Sequence, residues 1–261
     1  MNTKHASKVI IWDWSLRIFH WLFAGSISLA LGLALLAGEH SPLFEWHMLF
    51  GLSAGYLLLL RLVLFVVGTQ HSHLRGLLTA IRGAPAYFRS FFGQEAAAVP
   101  GHNPLAWTVY LWMFGLLAGT VWTGINMHNE WAEDIHTVLA WLLLATIVAH
   151  LLGLLVHTVR FKETIALSMF TGKKQAPKSA ALPSSRPLLG VIVLSLSLTF
   201  MGQLFGNFQP GAGKVKLPWI NRTITLGEGE ENEIDEHSQN TGDYWNPNNS
   251  DDEHEHDDDD D

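Results

Sequence analysis

The 261-residue sequence contains no cysteine. That excludes disulfides, iron–sulfur ligation, thiolate catalysis and covalent CxxCH haem attachment. Charge is scarce as well: 15% of residues are Asp, Glu, Lys or Arg, against about 25% in an average soluble domain. No internal repeat occurs, and no Gly-rich phosphate loop stands in strand–helix context. No nucleic-acid partner is expected.

The charge that is present is unevenly placed. Residues 210–261 carry 16 of the 24 acidic residues and 3 of the 16 basic ones, a net −13 that leaves +5 on residues 1–209. An apolar, mildly basic body with an acidic end points to an integral membrane protein. Five apolar runs approach the ~20 residues needed to cross ~30 Å of hydrocarbon. They lie at 16–37, 47–67, 105–125, 135–159 and 188–206; the fifth is short and carries Ser195, Ser197 and Thr199. The first is too long for a signal peptide and lacks an A-x-A-like cleavage site, so it reads as a retained anchor.

Basic residues set the expected orientation. Lys4, Lys8 and Arg17 precede or open span one; Arg75, Arg82 and Arg89 lie between spans two and three; Lys162, Lys173, Lys174, Lys178 and Arg186 lie between spans four and five. The loops after spans one and three hold Glu39, Glu45, Glu130, Glu133 and Asp134 and no Lys or Arg. The N-terminus is therefore expected in the cytoplasm, and five crossings put the C-terminal tail outside. Trp12, Trp14, Trp46, Trp107 and Trp131 fall near span ends, as interfacial aromatics do. Residues 75–92 read as a basic, amphipathic stretch along the cytoplasmic face. The tail reads as disordered by composition, with a possible strand at 217–226. Its Glu253-His254-Glu255-His256 run, with the aspartates, admits weak metal binding; docking a basic cytochrome c is the other specific reading, and a merely solvated end the bland one.

Histidines inside spans are functional candidates, because burying an ionisable side chain costs energy. His20 lies in the first span, His47 in the second, and His136, His150 and His157 in the fourth. His136 and His150 are 14 residues apart, nearly four turns, so they share a helix face at ~21 Å separation. The expected orientation puts His47 and His136 at one depth and His20 and His150 at another. Two facing imidazoles at each depth suggest two non-covalent b-type haems, each iron held by two histidines. Gly51 and Gly55 after His47, and Gly25, Ser28 and Gly32 after His20, would clear room for porphyrins; close helix packing explains small residues equally well. Arg61, 14 residues after His47, and Arg17, three before His20, are candidates to pair with haem propionates, with snorkelling to the interface as the alternative. His157 is a second choice for the inner ligand, or a hydrogen-bond partner of a propionate or quinone. The rival function is a metal-ion or proton transporter using the same histidines, which would ordinarily gather polar groups near the midplane.

Several motifs in order resemble one family. Trp12-Asp13-Trp14-Ser15-Leu16-Arg17-Ile18-Phe19-His20-Trp21 is similar to the opening helix of bacterial cytochrome b561 and of the b-type cytochrome subunits of Ni/Fe hydrogenases, W/Y-D-x-x-x-R-x-F/L-H-W. His47-Met48-Leu49-Phe50-Gly51 resembles their H-x-x-x-G, and Gly101-His102-Asn103-Pro104-Leu105 their third-helix start. Ile135-His136 and Ala149-His150, followed by His157, resemble the fourth helix, and the likeness covers about residues 10–174. The resemblance implies four helices holding two haems b through His20, His47, His136 and His150. It also implies electron exchange between membrane quinones and a periplasmic redox partner, as a subunit rather than a stand-alone enzyme. His102 and Asn103 are weak candidates for a quinone site, and helix capping is the blander account of Asn103.

The expected organisation is thus an all-α integral membrane protein of the bacterial inner membrane. It has a four-helix haem-binding bundle at 1–174, a cytoplasmic linker at 175–187, a fifth span at 188–206 and an acidic, disordered periplasmic tail at 207–261.

Overall fold

The computed structural model describes residues 7–37, 41–74, 76–78, 82–83, 85, 89, 104–162, 164–211, 213–220 and 222–225. Five helices are long and apolar enough to cross a membrane: α1 (Trp14–Leu36), α2 (Phe44–Val67), α3 (Pro104–Ile125), α4 (Glu130–Phe161) and, after a short α5 (Ile165–Thr171), α6 (Pro187–Gly206). Each matches an expected span. The largest extension is at α4, which starts five residues early. Its first turn carries Glu130 and Glu133 and its last turn Arg160, so both ends complement the helix dipole although neither belongs to the apolar run. Pro187 opens α6, where a missing N–H costs nothing.

Helix packing divides the bundle. α1 lies along α2, α3 lies along α4, and α2 touches α3. α6 packs mainly on α1 and secondarily on α2, its approach close enough that a Cβ on Gly190 would come within 2.7 Å of Trp14 Cβ. The core follows these seams: Leu16, Phe19, Phe23 and Ile27 of α1, Leu57 and Leu64 of α2, Phe114 and Leu117 of α3 and Val193 of α6 are buried together. α4 is largely exposed and has no packed seam with α1 or α2.

Two small sheets lie outside the helices. β1 (Ser7–Ile10) pairs antiparallel with β2 (Lys173–Ala176), from Ser7 opposite Ala176 to Ile10 opposite Lys173. Gly172 makes the join: its carbonyl accepts from Ile11 N and Trp12 N at 2.9 and 3.1 Å. At φ 74 it occupies the left-handed region, where a side chain is disfavoured, and a Cβ would press to 3.0 Å from the Trp12 carbonyl. The segment expected as a linker at 175–187 is likewise tied down. Leu182 N donates to Ile10 O at 2.8 Å, His71 Nε2 donates to Ala180 O at 2.8 Å and Arg186 Nη1 to Val67 O at 2.8 Å.

The second sheet corrects the expected tail. Residues 207–225 are not a disordered start to it: β3 (Phe208–Gln209), β4 (Lys214–Lys216) and β5 (Thr223–Thr225) form an antiparallel sheet in that order. Overall acidity hid a local pattern. Val215 is fully buried in a cluster with Leu49, Phe200 and Leu204, against which Leu217 and Ile224 also pack. The strand expected at 217–226 is seen only as β5. The rest of the tail with its Glu and His run, His102 and Asn103, and most of 75–92 lie outside the described residues.

Candidate functional site

His47 stands in the first turn of α2 and His136 in the second turn of α4, one helix on each side of the gap between α1–α2 and α3–α4. Their ring centroids are 6.1 Å apart at 83°. A metal about 2 Å from one nitrogen of each ring fits between imidazoles so spaced. The other nitrogens are already committed: Nδ1 of His47 lies 2.8 Å from the Ala30 carbonyl oxygen and Nδ1 of His136 lies 3.0 Å from that of Thr120. A carbonyl only accepts, so each Nδ1 carries the proton and each Nε2 keeps its lone pair, the usual outer-shell arrangement of a metal-ligating histidine. Thr123 Oγ1, 3.2 Å from His136 Nδ1, adds a further contact.

The second pair lies deeper. Ala30, level with His47, is ten residues beyond His20, so the two layers are ~15 Å apart along α1. His20 and His150 are neighbours close enough to feel each other electrostatically. His157 is half-buried two turns further along α4. The expected pairing, His47 with His136 and His20 with His150, is the one these contacts favour.

The glycines separate into two kinds. A Cβ on Gly25, Gly32, Gly51 or Gly153 would meet nothing within 4 Å. A Cβ on Gly55 would meet Val121 Cγ1 at 2.9 Å, and one on Gly119 would meet Leu139 Cδ1 at 2.9 Å. Gly51 thus fits a cradle for a flat ligand, whereas Gly55 serves the close contact of α2 with α3.

Arg61 is wholly buried at the level of Phe19. Its Nε donates to Tyr110 Oη at 2.7 Å and Nη2 to the Ser72 carbonyl at 3.2 Å, and its guanidinium lies 4.1 Å from the Phe65 ring centre. Nη1 is buried without a hydrogen-bond partner. A buried donor of this kind calls for an acceptor, and a carboxylate of a bound cofactor would supply one. Arg17 differs. Its Nε donates to Met169 O at 3.1 Å, its guanidinium sits 4.1 Å over the Trp14 ring, and it lines an apolar groove of about 300 Å³ with Trp21 and Phe170. These contacts favour the interfacial reading of Arg17.

Sequence reasoning did not foresee the network around Asp13. This carboxylate is fully buried, caps α1 through Leu16 N at 2.8 Å, and accepts from Ser15 Oγ at 2.5 Å and Thr69 Oγ1 at 2.6 Å. Thr69 lies 3.4 Å from Ser72 Oγ, and Ser72 holds Arg61 through its carbonyl. An aspartate just before an apolar run was the available signal for the cap; its partner Thr69 lies 56 positions away.

Among the described residues no three His, Cys, Asp or Glu side chains converge. A protein-only metal site needs about four ligands, which the histidine pairs do not provide; a haem iron already has four from its ring and needs only the two axial positions. The scaffold is that of a multi-pass helical membrane protein with paired histidines between its helices. The family model for prokaryotic cytochrome b561 matches residues 11–172, and the chain belongs to that family of b-type membrane cytochromes, which bind haem and transfer electrons. No curated protein and no solved structure matches the chain.

Proposed function

We propose that the protein is a two-haem cytochrome that passes electrons between membrane quinone and a redox partner such as a cytochrome c or a dehydrogenase or hydrogenase subunit. His47 and His136 hold one haem, His20 and His150 the other. The observation that carries this reading is the 6.1 Å spacing of His47 and His136 with both Nδ1 atoms turned to carbonyls. When bound, each haem supplies an iron that takes up and gives up one electron. The chain's own residues do the rest. The Ala30 and Thr120 carbonyls orient the ligand rings and raise their basicity, and Arg61 Nη1 offers a propionate its donor. His150 is preferred to His157 because it is the histidine that His20 senses. The basic loops put the His20 end toward the cytoplasm and the His47 end toward the periplasm.

The decisive experiment is the dithionite-reduced minus oxidised spectrum of the purified protein with haem quantified per chain. A b-type α band and two haems per chain are expected; a colourless protein, or a single haem, overturns the proposal. Gly51→Leu is expected to lower haem content while the helices stay folded. Gly55→Leu is expected to lower the melting temperature instead, because its side chain drives into Val121. Undiminished haem in Gly51→Leu would remove the cradle.

The acidic tail is proposed to dock a basic partner. Deleting residues 227–261 should slow partner reduction at low ionic strength and make little difference at high salt, where screening removes steering. An unchanged rate at low salt would eliminate docking by the tail.

A further inference from the structure

After α6 the chain turns back on itself. β3 runs on from the helix end, the following turn is pinned where Gly211 N donates to Glu45 Oε1 at 2.8 Å, and β4 returns antiparallel. Asn207, capping α6, donates through Nδ2 to the Lys216 carbonyl at 3.3 Å, so Lys216 stands level with the helix end. The next residues reach past that level. Trp219 lies 5.5 Å from Phe200 and 5.7 Å from Tyr56, ring centre to ring centre, and those two rings stack at 3.9 Å and 6°. Phe200 is six residues inside α6 and Tyr56 twelve inside α2, ~9 Å and ~18 Å from the helix ends. Both belong to segments able to cross the membrane.

The tip is also apolar. Trp219 and Ile220 are 59% and 61% exposed, Pro218 is buried and Leu217 half-buried. Exposed cations, Lys216 and Arg222, flank it, and Leu217 N closes the loop on Arg222 O at 2.8 Å. Trp219 holds φ 65, unfavourable for a residue with a side chain and sustained here by its packing on Tyr56 and Phe200. Apolar residues beside a span, with cations one step toward the surface, match the boundary between acyl chains and headgroups. The irregular backbone at the tip keeps it out of the hydrocarbon centre, where nothing would satisfy its polar groups.

We infer that the β4–β5 hairpin is a membrane-dipping anchor: Leu217, Trp219 and Ile220 enter the phospholipid leaflet at the His47 end, and Lys216 and Arg222 meet lipid phosphates. The surface continues the lipid-facing sides of α2 and α6, which is why the occupant is lipid rather than a soluble partner.

The absence of native cysteine makes the test direct. Ile220→Cys and Thr225→Cys, each the sole thiol of the full-length protein, are nitroxide-labelled and reconstituted into phosphatidylcholine–phosphatidylglycerol vesicles. Collision with oxygen, relative to a water-soluble nickel chelate, should be several-fold more frequent at 220 than at 225. Equal ratios at the two positions overturn the proposal. So does spin–spin broadening at 220 that disappears on dilution with unlabelled protein, since it would show a second copy covering the tip. Position 220 is exposed, so the substitution leaves the fold intact, and an unaltered haem spectrum verifies this.

Discussion

Alanine at His47 should remove one haem and spare the other, and alanine at His136 should remove the same one. Each imidazole supplies one axial bond at a shared iron, and the 6.1 Å spacing leaves no room for a second, independent site between the rings. Losing either ligand therefore costs the whole site, so the His47→Ala/His136→Ala double variant should contain no less haem than either single one. That non-additivity is the mark of two residues acting as one unit. His20→Ala and His150→Ala should behave in the same way toward the other haem. Haem per chain, with a redox titration to tell which centre survives, reads the outcome. Equal partial loss of both haems in every variant would break the pairing, and a His150→Ala variant retaining both would transfer the ligand role to His157.

Asp13→Ala should be among the most destabilising single substitutions in the chain. It strips the cap from α1 and leaves Ser15 and Thr69 hydroxyls buried without their acceptor. A lost cap costs ~1 kcal/mol and lost hydrogen bonds to a buried charge ~1.5–3 kcal/mol each, so a deficit of roughly 3 kcal/mol or more is expected. The damage extends further, because Thr69 and Ser72 belong to the turn whose carbonyl holds Arg61. Asp13→Asn, which keeps an oxygen for Leu16 N, should lose less, and Thr69→Val less again. Thermal melting of the purified protein in detergent ranks the three; an Asp13→Ala protein melting with the wild type would show that the network contributes nothing.

Much of this architecture was readable in the sequence because a bilayer imposes one length on every crossing. The spans emerge from apolar runs alone, and histidine depth follows from counting residues along them. His47 and His136 were legible because each sits at the start of its helix on the same side of the membrane, where helical rise fixes level. What escaped depends on contacts between distant, polar segments. β1 and β2 carry Lys8, Lys173 and Lys174 and are four residues each, too short and too charged to display strand alternation. Asp13 was visible as part of a motif, but its tie to Thr69 is purely tertiary. Gly51 and Gly55 look alike as letters one turn apart; only the position of Val121 tells them apart. The sheet after α6 was masked by the acidity of the chain beyond it.

The hydrogen bond from Ile11 N to Gly172 O has a consequence for how the molecule is assembled. The family match begins at residue 11 and ends at residue 172, so the two ends of the shared unit touch. A unit with touching ends is a closed cassette: whatever is added at either end hangs from one fixed point and never has to thread between the helices. The fifth crossing and everything after it are such an addition. The same geometry means the cassette tolerates being re-cut, with new termini opened in a surface loop and the old ones joined across β1 and β2.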